Sequence, residues 1–305
     1  MELHLTDHPH EPVHQLLAAR PFEVGDGTEV RRLIPQRHLR TAGAWCFADH
    51  YGPDDVSEHD GMAVPPHPHI GLQTVSWLLA GEIVHRDSLG SLQRVGPREL
   101  SLMTSGRGIA HSEESPPDRP PLLSGVQLWV ALPESRRDGT ASYEHHRDLP
   151  VVTHGSLSAT LVLGTHDGVA SPGTAYTPLV GLDVLVDGPG VLPLEPDWEH
   201  VAFPLDGTAL IDGEPTAVGT LVQLGRGRTE LELAGEGCRV MLLGGEPMTE
   251  QLVLWWNFVG RSTEDIAEAR ADWETSSGRF GPVVGYPGPP VAAPPLGPVR
   301  LMPRS

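Results

Sequence analysis

Turn-forming residues restrict the fold of this chain more than any other feature. Its 305 residues include 35 glycines and 31 prolines, spread along the chain rather than massed in one linker. Glycine supplies left-handed turns, and proline is poorly placed inside a helix or a central strand. Punctuation this frequent leaves room mainly for short strands joined by tight reversals. The length suggests two domains, with ample chain for a sizeable core in each.

Between the turns, apolar and polar residues alternate as in half-buried strands. Val75, Trp77 and Leu79 share one face of "TVSWLLAG", and Val126, Leu128, Val130 and Leu132 share one face of "GVQLWVALP". "GEIVHRDSLG", with a turn at Ser88 to Gly90, and "RELSLMTSG" lie between them. A polar interval at 133–150 then leads to a second block of the same texture, with "LSATLVLG", "GTALIDG", "GTLVQLG", "TELELAG" and "CRVMLLGG" as its candidate strands. The pattern predicts an all-β chain of two antiparallel barrels or sandwiches, although no repeat is visible in the sequence itself. The expected division is an N-terminal metal-binding domain over 1–145 and a C-terminal domain without metal ligands over 146–305. One helix is predicted near 262–275, N-capped by Ser262, with Ile266, Ala269 and Trp273 forming its apolar stripe. After Phe280 the chain turns Pro/Gly-rich and extended, as a surface strap or a loose tail.

Charge narrows the function. Twenty-one basic residues against 40 acidic ones leave a net charge of −19, which opposes phosphate backbones and anionic lipid. The expectation is no direct nucleic-acid binding and no membrane association. Cys46 and Cys238 are far apart and in no C-x-x-C arrangement, so neither a thiolate metal site nor a disulfide framework is indicated. The start of the chain lacks the basic end and apolar core of a signal peptide, so the expected location is the cytoplasm.

The chemistry-bearing pattern lies in the first block. In "PPHPHIGLQ", His67 and His69 are two apart, so in a strand both point to the same side. His111 and Glu113 in "GRGIAHSEE" repeat that spacing, with Gly106 and Gly108 freeing the backbone to turn just before them. Three imidazoles and one carboxylate make a mixed N/O donor set that suits iron, manganese, nickel or copper, while ligand type alone leaves zinc open. A second His-Pro-His, at His8 and His10, has no partner pair and no flanking strand and reads as a solvated end.

These blocks resemble a known family. "PPHPHIGLQTVSWLLAGEIVHRDSLGS", "LMTSGRGIAHSEES" and "GVQLWVALP" are similar to signature stretches of pirin-like proteins, members of the cupin superfamily. "PFEVGDGTEVRRLIP" and "AWCFADHYGP" resemble the family's opening, and "LLGGEPMTEQLVLWWNFVGRSTEDIAEARADW" its closing. The resemblance covers roughly residues 20 to 282 and is weaker between about 140 and 235. It implies a bicupin with metal only in the first barrel, ferrous iron as the usual metal (other divalent transition metals being alternatives), and His67, His69, His111 and Glu113 as ligands. It also implies one of two activities. The first is that of an oxidoreductase of the quercetin 2,3-dioxygenase type, which opens a flavonol or catechol-like ring with dioxygen and uses Glu113 as the catalytic proton acceptor. The alternative is a non-enzymatic, redox-sensitive regulator acting through protein partners. Because fold alone does not set function, a metal-binding cupin with an unrelated small substrate is a third reading.

One position departs from the general cupin pattern. Gln73 stands where a glutamate is usual, and a neutral amide serves neither as carboxylate ligand nor as base. It would instead orient a ligating histidine by hydrogen bonding. His85 and Asp87 in "VHRDS" read as supporting or turn-stabilising residues rather than ligands. Arg107 is as compatible with a surface position as with a substrate contact. His59, His145, His146, His154, His166 and His200 fit no pair and read as solvated or structural.

Overall fold

A computed structural model describes residues 11–24 and 28–297, so His8 and His10 lie outside the described residues. Strand dominates, as the turn spacing predicts, and the described residues contain one α-helix, Thr263–Glu274. No helix among them is long and apolar enough to cross a membrane. The chain divides into two units that are interleaved in sequence. One comprises residues 11–21, 31–50 and 146–248, and the other 22–24, 28–30, 51–145 and 249–297.

In the first of these, an eight-stranded sheet runs in the order Pro12–Ala18, Thr220–Gly225, Glu199–Asp206, Cys238–Gly245, Leu179–Val186, Leu157–His166 and Val151–His154, with Val169–Ala170 paired to Leu157–His166. A four-stranded sheet of Gly190–Pro193, Glu230–Ala234, Thr208–Ile211 and Glu214–Ala217 supplies the other layer. Leu161, Leu182, Val184, Leu231, Leu233, Val240 and Leu242 from the two layers pack into one buried core. All five candidate strands of the second block are strands here. Glu199–Asp206 escapes the sequence reading because Pro204 interrupts it. The ladder to Cys238–Gly245 shifts register between Pro204 and Asp206, the kind of irregularity at which a residue without an N–H is tolerated inside a sheet.

In the other unit, a small sheet is ordered Ala63–His69, Ile109–Glu114, Ile83–Asp87, Leu92–Val95. It faces a larger sheet that includes the consecutive strands Ser142–His146, Leu100–Thr104, Leu72–Ala80 and Leu122–Ala131. Alternation places Val75 and Trp77 inside, and they are fully buried, but so are Ser76 and Leu78 on the opposite face. Both faces of this strand are therefore covered. The face that the pattern gives to solvent carries Ser76 to a buried carboxylate instead.

The helix forms as expected. Ser262 Oγ accepts from the Asp265 N–H at 3.1 Å, while Ile266 and Ala269 are buried against Ile70, Phe258 and Phe280. The segment that follows is held down as a strap over its described length. Trp273 Nε1 donates to the Val291 carbonyl (2.8 Å), Val291 N–H to the Pro66 carbonyl (2.8 Å), and Ala293 N–H to the Glu274 carboxylate (2.8 Å). An extended proline-rich chain has no internal hydrogen bonds, so its backbone groups are free to bond the helix and the strand beneath.

Candidate metal centre

Strand pairing assembles the centre. Ile109–Glu114 lies between Ala63–His69 and Ile83–Asp87, with His111 opposite His67 on one side and opposite Asp87 on the other. Directly paired residues in an antiparallel ladder stand about 5 Å apart with side chains on the same face. The 42-residue separation between the two sequence pairs is thus closed by a single register. Two glycines make the approach to the strands. Gly71, after the second histidine, has φ +67°, and a Cβ there would lie 2.1 Å from the Val259 carbonyl oxygen. Gly106 has φ +48°, and a Cβ there would lie 2.1 Å from the Gly139 carbonyl oxygen.

His67, His69 and His111 converge. Each offers a ring nitrogen within 4.8 Å of the others, and the ring centroids are 4.4 to 5.0 Å apart. All three are buried. Burial in a low-dielectric interior lowers their tendency to take a proton: His67 falls to about 4, and His69 and His111 fall well below the ordinary imidazole range, each depressed further by its neighbouring imidazoles. They are neutral at physiological pH, the state in which imidazole binds a metal.

Hydrogen bonds also settle which nitrogen is available. His67 Nδ1 faces the Pro65 carbonyl at 2.8 Å, and His69 Nδ1 faces the Asn257 carbonyl at 2.9 Å. A carbonyl only accepts, so in both rings Nδ1 carries the proton and Nε2 presents its lone pair. His69 Nε2 is 3.1 Å from His111 Nε2. This arrangement, with outer nitrogens pinned by backbone and inner nitrogens turned towards one another, fits a transition-metal ion held by imidazole.

Glu113 is placed differently. On the Ala63–His69 side the ladder shifts register after His111, so that Glu113 pairs with Val64. Its carboxylate joins a second group of donors with His85 and His111. Burial pushes the Glu113 carboxyl above the usual carboxylate range, with the Ser76 hydroxyl, which donates to Oε1 at 2.5 Å, pulling it partly back. The structure therefore brings His67, His69 and His111 into one cluster and sets Glu113 beside it, sharing His111.

His85 is closer to the chemistry than the sequence reading places it. Its Nδ1 lies 3.4 Å from His111 Nδ1, its Nε2 lies 3.2 Å from Asp87 Oδ2, and Tyr143 stacks on its ring at 4.2 Å. The usable signal was the His-x-Asp pair in "VHRDS", the same two-residue spacing as the other pairs. Nothing local marks Ser76, Tyr143, Trp129 (its ring edge-on to His69 at 5.3 Å) or the Asn257 carbonyl, which reaches His69 across 188 positions. Gln73 is fully buried and donates to Thr104 Oγ1 at 2.9 Å. Arg107 is exposed, and its carbonyl accepts from Arg279 Nε.

Known proteins resemble this chain over most of its length. The pirin family model matches residues 27–130, and the model for the pirin C-terminal cupin domain matches residues 186–281. A Pseudomonas aeruginosa protein named "Putative quercetin 2,3-dioxygenase" is 44% identical over 290 residues, covering 94% of this chain and 92% of its own. A pirin-like protein of Caulobacter vibrioides is 38% identical, covering 84% and 91%. Among solved structures, quercetin 2,3-dioxygenase from Acinetobacter baumannii superposes with a TM-score of 0.92 at 40% identity, covering 96% of this chain and 98% of that one. The two β units are accordingly cupin-type domains.

Proposed function

This chain belongs to the pirin family, and we propose that it is a metal-dependent oxidoreductase of the quercetin 2,3-dioxygenase type, acting on a flavonol or catechol-like ring. The observation that carries the reading is the convergence of ring nitrogens of His67, His69 and His111 within 4.8 Å of one another, with the outer nitrogens of His67 and His69 held by backbone carbonyls. These three residues with Glu113 would hold the ion, for which we take ferrous iron. When bound, it supplies Lewis acidity towards a substrate hydroxyl and redox capacity towards dioxygen.

The protein's own groups do the rest. Glu113, releasing or sharing the ion, is the proton acceptor. Burial raises its proton affinity above the usual carboxylate range, and the Ser76 hydroxyl holds Oε1 in place. Trp129 packs edge-on to His69 and Tyr143 stacks on His85, and these rings limit water beside the imidazoles. Backbone pinning of His67 and His69 keeps the inner nitrogens oriented without any motion during the reaction.

The test is oxygen uptake by anaerobically iron-loaded protein with quercetin, beside His67→Ala and Glu113→Ala. Turnover well above free iron, lost in both variants, is the expected result. Iron-loaded protein that consumes no oxygen above the free-iron rate would sink the enzymatic reading and leave the regulatory one.

A further inference from the structure

His111 has two ways to satisfy its ring, and they differ in consequence. With the proton on Nδ1, its Nε2 is bare and faces His69 Nε2 at 3.1 Å, leaving a position for a cation. With the proton on Nε2, it donates to His69 instead, and the centre closes on a hydrogen bond. His85 decides between them, because its Nδ1 is the group that faces His111 Nδ1, at 3.4 Å.

His85 is in turn set by Asp87. The Oδ1 of Asp87 accepts from the Leu89 N–H at 2.9 Å and the Ser91 N–H at 3.0 Å, and its Oδ2 faces His85 Nε2 at 3.2 Å. An ionised carboxylate can only accept, so the His85 proton sits on Nε2 and Nδ1 is left bare. A bare His85 Nδ1 requires His111 to donate from its own Nδ1.

We infer that Asp87 is a positioning residue which, through His85, selects the tautomer of His111 that leaves Nε2 open to the metal. The inference rests on the metal reading above and deepens it. It assigns to one turn of the small sheet, the Ser88–Gly90 reversal that Asp87 anchors, control over a nitrogen two side chains away.

The distinguishing variant is Asp87→Asn. The two backbone N–H groups of Leu89 and Ser91 claim the Asn carbonyl, so its NH2 turns to His85 Nε2 and donates. The relay then inverts, and His111 carries its proton on Nε2. Asp87→Ala merely leaves His85 undirected. The measurement is cobalt(II) affinity at one fixed pH, by competition with a chromogenic chelator. Long-range 1H–15N spectra of histidine-labelled, metal-free protein read the tautomers directly.

Removal of an outer partner of a metal-binding histidine typically costs 10- to 100-fold in affinity. The expected order is a loss of about 100-fold for Asp87→Asn and about 10-fold for Asp87→Ala and His85→Ala, with wild-type His111 protonated on Nδ1. A residue that acted only through packing would give the reverse order, since Asn fills the same space and Ala does not. Equal affinities for Asp87→Asn and wild type overturn the inference, as does a wild-type spectrum with His111 protonated on Nε2 or His85 protonated on both nitrogens. Wild-type protein that binds no cobalt would overturn the metal reading of the preceding section. The tautomers of the metal-free protein still decide this inference, even where a variant does not fold.

Discussion

The two cupin units fill the space between their sheets with different matter. In the unit built mainly from 146–248, Leu161, Leu182, Val184, Leu233 and Leu242 meet in a dry apolar core. In the unit built mainly from 51–145, His67, His69, His85, His111 and Glu113 occupy inward positions, and an apolar cluster forms beside them around Tyr51, Met62, Leu78 and Leu123. The first unit also has histidines. His166 and His200 line a cavity of about 270 Å³ with Trp198, yet among the described residues they belong to no group of three donors close enough to share an ion. The contrast teaches that strand architecture sets where a side chain points, while the residue type at a few inward positions decides whether the interior is a core or a site.

The sharpest break in the comparison is metal content. Purified protein should carry a transition metal near one equivalent, His67→Ala or His111→Ala should abolish it, and His200→Ala should leave it unchanged, as metal analysis would show. Retention of the metal in His111→Ala, or its loss in His200→Ala, would mean that the two interiors have been assigned the wrong way round.

Next in size is the apolar core itself. Leu161→Ala removes a fully buried side chain and should cost about 2–5 kcal/mol in denaturant unfolding, with metal content intact in the folded protein. A cost below ~1 kcal/mol would show that this interior is not close-packed.

A smaller effect shows in the pH dependence of the unit built mainly from 146–248. Burial, reinforced by His166 and Arg228, depresses His200 from 6.5 to about 4, against a backbone bond at Trp198 that works the other way. Below pH 6.5 the unfolded chain takes up a proton that the folded one refuses, so stability falls with pH and the loss is complete by about 4. A shift of this size corresponds to at most on the order of 3 kcal/mol. His200→Gln should flatten the change in urea midpoint between pH 7 and pH 4.5, and an unchanged slope would assign the acid sensitivity elsewhere.

Much of this was legible in one dimension. Residues two apart in a strand share a face whatever surrounds them, so His67 with His69 and His111 with Glu113 could be picked from spacing. Ser262 capping its helix is equally local. What escaped had long-range causes. Pro204 sits within a strand because the ladder shifts beside it, Ser76 belongs to a face that alternation assigned to solvent, and His85 mattered only once its strand was seen to pair with Ile109–Glu114.

Sequence alone therefore determined the all-β texture, the helix and the identity of the donor pairs, since each depends on backbone preference and side-chain direction over a few residues. Tertiary structure decided the rest. It joined the two histidine pairs by one strand register, set Glu113 opposite His85 in the ladder to Ile83–Asp87, and brought the Asn257 carbonyl and the strap at Val291 back to the strand that holds His67 and His69. Those are contacts between residues tens to hundreds of positions apart, and burial of the whole chain, rather than the preference of any segment, selects them.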